Sequence, residues 1–227
     1  MNESSYQVYV GGDDAFLPFF LIVGILLAVA ANLTLLVALL KIQDLEFYSF
    51  IKLMCYLDLV AAVTVFPMAL TVSANHGVLN NPVFCNIYGI LTAFLNRASM
   101  LNVCAINVER YYFISRPMHY NHAMPSSLST AINCGLMGLS LLVALGPIVV
   151  SLWTNVDAYK PLSYAPLCAS IPTTAILVVL GYVDVIVSFF IPWCIILAVS
   201  VGMLNIGLQN HSPVCTTHQM PANCTTE

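Results

Sequence analysis

Five long runs of apolar residues divide the chain, and short polar stretches separate them. The runs cover residues 18–40, 49–73, 82–112, 128–153 and 174–208. Each run is apolar on every side of a helix and reaches the ~20 residues needed to cross the hydrocarbon core of a bilayer. Because lipid offers no partner for backbone polar groups, an open spanning segment must be helical. The pattern therefore predicts an all-α membrane protein with a transmembrane bundle of five helices.

Polar segments stand at both ends of the chain. Residues 1–17 are predicted to be extracellular, and residues 209–227, which hold no further apolar run, are predicted to be disordered. Asn2 begins an Asn-x-Ser motif, which predicts N-glycosylation if this end lies outside the cell. The basic residues favour that orientation, because Lys160 alone falls in a predicted extracellular connection. Those at or in the predicted cytoplasmic connections are Lys41, Lys52, Arg110 and Arg116.

The composition supports a membrane protein and excludes several other classes. Hydrophobic residues make up 60% of the chain, charged residues 7%, and the mean hydropathy is +0.90. Soluble domains carry about 25% charged residues, so this chain could not cover a surface that faces water. The histidines lack metal-ligand spacing, and the chain has neither a glycine-rich phosphate loop nor a basic surface for nucleic acid. We expect no enzyme activity and no nucleic-acid partner.

The most unusual feature of the sequence is the presence of two charged residues inside the apolar runs. Arg97 lies within the third run and Asp184 within the fifth. An uncompensated charge in a spanning helix costs at least ~2.5 kcal/mol on insertion scales, so the two residues are expected to form an interhelical salt bridge. A ligand-binding role for the same two side chains is the alternative, and the residues alone leave both open.

A series of motifs runs in order along the chain, and its residues are Asn32, Leu57-Asp58, Pro67, Cys85, Glu109-Arg110-Tyr111, Pro117, Tyr120 and Pro192. This series resembles the rhodopsin-like (class A) G-protein-coupled receptors. The separation of 25 positions between Cys85 and Arg110 also matches the family's spacing. The resemblance covers residues 18–208 and implies five helices of a seven-helix architecture. Residues 117–120 are similar to an odorant-receptor loop, but the segment before them is not, so the subgroup is left open.

The resemblance implies a role for each of these motifs. Cys85 and Cys168 would form a disulfide between the third helix and the second extracellular loop, on the oxidising side of the membrane; two free thiols are the alternative. Glu109 would hold Arg110 until a ligand-driven rearrangement frees the arginine for a G protein. A plain interfacial ion pair is the alternative there. The other residues of this switch would be Tyr111, Pro117 and Tyr120, and the helix kinks would lie at Pro67 and Pro192.

The resemblance also implies a polar core that binds sodium. In the family, an aspartate of the second helix and a serine of the third bind the ion, and Asp58 and Ser99 stand at those places, with Asn32 in the same polar core. Such oxygen ligands suit a hard cation. The family's remaining ligands come from helices that this sequence lacks, so the site would be incomplete. Alternatively, Asp58 is a polar residue with a local hydrogen bond.

The candidates for a ligand pocket are Thr92, Asn96, Arg97 and Asp184, at the depth where this family binds small molecules. Thr92 occupies the place where amine receptors carry an aspartate, so a monoamine would lose its usual counter-ion. The fourth run also lacks the family's tryptophan, and Ser200 stands where many members have a tyrosine. Both departures count against efficient signalling.

The resemblance implies a plasma-membrane receptor that binds an extracellular small molecule or peptide and activates a heterotrimeric G protein. Because no sixth apolar run follows, we expect this chain not to signal alone, and retention in the endoplasmic reticulum is compatible with that. One alternative is an interaction protein that binds other receptor chains and alters their trafficking. Another is a small transporter or channel that uses Asp58, Arg97 and Asp184 as a polar path.

Overall fold

The fold is seen in a computed structural model that describes residues 16–41, 48–120, 124–155, 157–162, 167–170 and 175–211. Within these ranges, five helical segments are long and apolar enough to cross a membrane. They are Pro18–Lys41, Ser49–Ala74, Pro82–Ser115, Ser126–Thr154 and Ala175–Leu208, here called the first to fifth spans. The all-α fold class is thereby confirmed. The predicted glycosylation site Asn2 lies outside the described residues.

The first span is a single helix, α1 (Phe16–Lys41), and it packs against the second span. The second span consists of α2 (Ser49–Val63) and α3 (Val65–Ala74), which are separated at Thr64. Pro67 follows the break by three residues. Since proline has no N–H and its ring clashes with the carbonyl four residues earlier, here that of Val63, the break at this place has a direct cause.

The third span, α4 (Pro82–Ser115), is the centre of the bundle. It packs against the second, fourth and fifth spans. Of its most apolar stretch 33% is buried, against 6% for the first and fifth spans. Its 34 residues give a length of about 51 Å, so it exceeds the hydrocarbon core of about 30 Å. Residues at both of its ends therefore reach the membrane surfaces.

The ends of α4 have local causes. The Asn81 side chain accepts hydrogen bonds from the backbone N–H groups of Val83 and Phe84 and caps the first turn. The helix continues three residues beyond the predicted end at 112 and stops at Ser115. Pro117 explains that end, because the residue before a proline avoids the helical region, and Arg116 has φ −141° and ψ 63°.

The fourth span, α5 (Ser126–Thr154), begins directly after Pro125 and keeps Pro147 within it. It ends at Asn155, whose φ of 52° places it in the left-handed region. Asparagine is among the few residues other than glycine that adopt this conformation readily. The short strands β1 (Lys160–Pro161) and β2 (Cys168–Ala169) then pair antiparallel. This pairing was not predicted, because two residues are too few to show an alternating pattern.

The fifth span is interrupted close to Pro192. It consists of α6 (Ala175–Val185), a π-helical turn (Ile186–Phe190) and α7 (Ile191–His211). Proline cannot donate to the carbonyl four residues earlier, here that of Ser188, and a π-helical turn accommodates that loss. The helix runs three residues past the predicted end at 208. Its end lies two residues before Pro213, which is where a helix is expected to stop.

Candidate functional site

A charged network inside the bundle joins the third, fourth and fifth spans. Arg97 Nη2 lies 2.5 Å from Asp184 Oδ1, and Arg97 Nε donates to the same oxygen at 2.8 Å. Nε is also 2.8 Å from Ser188 Oγ, and Nη1 donates to the Ser140 carbonyl at 3.2 Å. The Ser188 hydroxyl donates to Asp184 Oδ1 at 2.7 Å. The salt bridge expected between Arg97 and Asp184 is therefore present.

The two charged partners of this network differ in exposure. The Arg97 side chain is 5% exposed, whereas that of Asp184 is 38% exposed. Every nitrogen of the guanidinium has an acceptor, but all contacts to Asp184 converge on Oδ1. Among the described residues, no donor reaches Asp184 Oδ2. The covered arginine thus has an acceptor at every nitrogen, while the carboxylate keeps one oxygen for a further partner.

Sequence reasoning found the charges of this network but missed its neutral members. Ser188 follows Asp184 by four residues and therefore shares its helix face, a spacing that could have identified it. The Ser140 carbonyl carried no signal, because every residue has a backbone carbonyl. Of the other two pocket candidates, Asn96 is exposed, and Thr92 Oγ1 is buried without a hydrogen-bond partner in the described part of the chain. Neither is hydrogen-bonded to the charged network.

Tyr159, in the connection after the fourth span, is buried beside this network. Its hydroxyl donates to the Ala144 carbonyl at 2.8 Å, and its backbone N–H donates to Asn86 Oδ1 at 3.3 Å. Its ring lies against Gly89 so closely that a Cβ there would sit 2.3 Å from Cδ1 of the ring. Burial raises the pKa of Tyr159 to about 12, and the charge of Arg97 opposes that rise. Nothing in the loop sequence indicated this contact.

A disulfide joins Cys85, in the first turn of α4, to Cys168 of β2. The predicted bridge is therefore present. Both cysteines are buried in one apolar cluster with the connection after the fourth span and the end of the second span, and its other buried members are Val72, Leu79, Tyr88, Ala158 and Tyr159. We call this the disulfide end of the bundle. The opposite end, which holds Glu109 and Arg110, is the arginine end.

At the arginine end, Glu109 has a hydrogen-bond partner on the turn that follows α4. Glu109 is 3% exposed, and its carboxylate accepts a hydrogen bond from the Tyr120 hydroxyl at 2.9 Å. The Arg110 guanidinium lies over the Tyr48 ring, 6.0 Å from its centroid. Burial, followed by the hydrogen bond to Glu109, raises the pKa of Tyr120 above its ordinary value.

The other residues of the predicted switch surround this contact. Pro117 begins a 3-10 turn that carries Tyr120 back onto the helix, where its ring packs edge-on against Phe113 with centroids 5.3 Å apart. Tyr111 points elsewhere and meets the fifth span. A Cβ at Gly202 would lie 2.7 Å from its ring, so only a glycine allows this close approach.

The three residues predicted to form a sodium-binding core are not joined to one another by hydrogen bonds in the described structure. Asn32 donates to the Ala28 carbonyl of its own helix at 3.0 Å. Asp58 and Ser99 are both half-buried, beside a cluster of Leu57, Leu95 and Ala98 that brings the second and third spans together. Among the described residues, no group of three His, Cys, Asp or Glu side chains could hold a metal ion.

Two amides that sequence reasoning missed, one buried and one half-buried, hold the start of α2. Asn102 donates to the Phe50 carbonyl and Asn133 donates to Ser49 Oγ, both at 2.9 Å. They connect the third and fourth spans to the second near the arginine end. An amide within an apolar run was the signal that could have found them, because a polar group at membrane depth needs a partner.

Comparison with known proteins assigns the family. Residues 31–220 match the 7 transmembrane receptor (rhodopsin family). A probable G-protein coupled receptor of Oryzias latipes is 31% identical over 58% of this chain and 31% of its own length. The octopamine receptor beta-2R of Drosophila melanogaster is 25% identical over 80% of this chain and 34% of its length. The alpha-1D adrenergic receptor of Homo sapiens is 28% identical over 57% of this chain and 23% of its length.

The chain thus spans about a third or less of each of these relatives. The matched family consists of receptors, which confirms the expectation that the chain is not an enzyme. Its motif residues lie on the spans described above, except that Pro117 and Tyr120 belong to the 3-10 turn after the third span. The family match covers the second to fifth spans in full. The chain belongs to the rhodopsin family of seven-transmembrane receptors.

Proposed function

We propose that the protein is a G-protein-coupled receptor that binds its ligand near the disulfide end and engages a heterotrimeric G protein at the arginine end. The observation that carries this proposal is the continuity of α4. One unbroken helix holds Cys85 at one end, Arg97 of the charged network within it, and Glu109 and Arg110 at the other end. A change in the charged network can therefore be transmitted along one continuous helix to the arginine end.

The orientation follows from two further observations. A disulfide persists on the oxidising side of a membrane, which supports an extracellular disulfide end. Basic residues favour the cytoplasmic side, and those of the arginine end and its neighbouring connections outnumber Lys160 at the disulfide end. We therefore propose a plasma-membrane receptor with an extracellular amino terminus.

Asp184 is the residue that we propose binds the ligand. Its Oδ2 has no donor among the described residues, and its side chain is 38% exposed, so a ligand ammonium or another hydrogen-bond donor can approach it. Thr92 stands where amine receptors carry an aspartate, so a carboxylate for a cationic ligand has to come from another element. The similarity to octopamine and adrenergic receptors makes small amines the first probes to use.

Substitution of Arg97 tests this assignment, because it is expected to strengthen the binding of a cationic amine and not to weaken it. We expect Arg97→Gln to bind a cationic amine about tenfold more tightly than the native chain, because Asp184 is no longer neutralised. The double variant Arg97→Gln/Asp184→Asn should lose that gain and bind more weakly than the native chain. The measurement is competition binding with octopamine, noradrenaline and dopamine on membranes, together with nucleotide exchange on an added heterotrimeric G protein.

Tyr182→Ala is the matched control for that experiment, since Tyr182 is 69% exposed on the same helix as Asp184. Equal amine binding by the native chain and the double variant would contradict the ligand role of Asp184. Amine binding without nucleotide exchange would remove the G-protein part of the proposal. A changed surface level of a co-expressed receptor would then favour the second candidate, association with other receptor chains, and substrate flux would favour a transporter.

We also propose that Asp58 and Ser99 contribute to a sodium site. Their oxygens suit a hard cation, and in the described structure neither side chain uses a hydrogen bond that would keep it from one. An ion that binds only the folded state raises its stability with concentration. We expect sodium, compared with choline at equal ionic strength, to raise the melting temperature of the native chain and not that of Asp58→Asn. An equal response of both would contradict the site.

A further inference from the structure

At the disulfide end, the connection after the fourth span inserts one aromatic side chain between the third and fourth spans. Tyr159 is 5% exposed although it lies outside the spanning helices. Its ring rests on the backbone of Gly89, where a Cβ would meet Cδ1, Cγ and Cε1 at 2.3, 2.6 and 2.9 Å. A glycine in the third span thus forms a socket that any larger residue would fill.

The contacts of the fourth span place Tyr159 next to the charged network, on its side toward the disulfide end. Its hydroxyl donates to the Ala144 carbonyl, and Arg97 Nη1 donates to the Ser140 carbonyl. These carbonyls are four residues apart on one helix, which corresponds to about 6 Å along its axis. Tyr159 therefore lies about one helical turn closer to the disulfide end than the guanidinium does. The effect of Arg97 on the pKa of Tyr159 agrees with this proximity.

Two constraints hold Tyr159 in this position. Lys160, the next residue, pairs with Ala169 in the two-stranded ladder. Cys168, beside Ala169, is bonded to Cys85 of the third span. Cys85 precedes Gly89 by four residues and so lies on the same helix face as the socket. The disulfide and the ladder thus anchor the connection on the face of α4 that receives the tyrosine ring.

We propose that Tyr159 is a built-in plug that closes the third–fourth side of the ligand site, so that an external ligand meets the ion pair through Asp184 and cannot reach Arg97. The ligand site rests on the proposed function, whereas the closure is a property of the fold alone. The site would therefore select ligands by charge. A donor group of a ligand finds Asp184 Oδ2, while an acidic group is kept from the guanidinium by the tyrosine.

The closure can be measured without any ligand, by thiol labelling at a reporter cysteine. Thr92→Cys is a suitable reporter, because Thr92 lies one turn further into the bundle than Gly89 and its Oγ1 is buried. A membrane-impermeant methanethiosulfonate is added from outside to intact cells, and the modified fraction at position 92 is followed by mass spectrometry. The reporter is combined with native Tyr159, Tyr159→Phe, Tyr159→Ala and Gly89→Ala.

We expect labelling to be slow with native Tyr159 and with Tyr159→Phe, which keeps the ring. Tyr159→Ala should accelerate it at least about tenfold, as expected when a site moves from buried to locally open. Gly89→Ala should do the same by expelling the ring without deleting it, so it decides the matter if Tyr159→Ala does not reach the surface. Tyr182→Ala, at an exposed position of the fifth span, should leave the rate unchanged.

Equal labelling rates with native Tyr159, Tyr159→Ala and Gly89→Ala would overturn the plug. That result would leave the receptor proposal intact, because it concerns only access. Conversely, accelerated labelling in a chain that binds no amine would retain the plug and remove the ligand assignment. The two proposals can therefore fail separately.

Discussion

Asp184→Asn is expected to lower the free energy of unfolding by about 3–5 kcal/mol, the usual cost of removing one partner from a buried ion pair. The variant leaves Arg97, which is 5% exposed, without a counter-charge. A buried guanidinium without a counter-charge is costly, because nothing replaces the hydration that it has lost. Reversible denaturation in bicelles, followed by tryptophan fluorescence, provides the measurement.

Arg97→Gln is the matched comparison. It should lower the free energy of unfolding by about 2 kcal/mol or less, which is clearly less than the loss for Asp184→Asn. Asp184 is 38% exposed and retains the hydrogen bond from Ser188, so its charge is less costly to leave without a partner than the charge of the buried Arg97. The asymmetry is the informative result. Equal losses for both variants, or a larger loss for Arg97→Gln, would mean that the arginine is not the buried partner.

Cys168→Ser is expected to be the other strongly destabilising substitution, with a loss of up to about 4.5 kcal/mol. The estimate comes from the closure entropy of a loop whose ends are 83 residues apart. It is an upper bound, because the spanning helices already restrict the unfolded chain in the bilayer. The loss should appear in the same denaturation experiment and should be matched by a similar loss for Cys85→Ser.

Cys134→Ser is the control for the disulfide, since Cys134 is a free and exposed cysteine of the fourth span. It should unfold like the native chain. The double variant Cys85→Ser/Cys168→Ser should lose no more than either single variant, because one bond is removed in each case. Additive losses would show that the two cysteines stabilise the fold separately.

The five spans and the central ion pair could be predicted because the membrane imposes strong and local rules. An apolar run of sufficient length has to be helical, and two charges within such runs have to find partners. Arg97 and Asp184 were the charges in question, and they are paired. The break near Pro67 and the π-helical turn before Pro192 likewise follow from the absence of one N–H at each proline.

Contacts made by loops could not be predicted in the same way. Tyr159 lies in a polar connection whose sequence has no periodicity, and its burial depends on the space that Gly89 leaves on another helix. The hydrogen bond between Tyr120 and Glu109 was missed for a related reason. The two residues are 11 positions apart in sequence, and the 3-10 turn at Pro117 brings Tyr120 back to the carboxylate.

Arg97 and Asp184 act as a coupled pair that joins the third and fifth spans, and this coupling is the central claim. A double-mutant cycle of Arg97→Gln and Asp184→Asn on the free energy of unfolding tests it most directly. We predict that the double variant is more stable than Asp184→Asn alone, because it removes the unpaired guanidinium. A double variant whose loss equals the sum of the two single losses would contradict the claim.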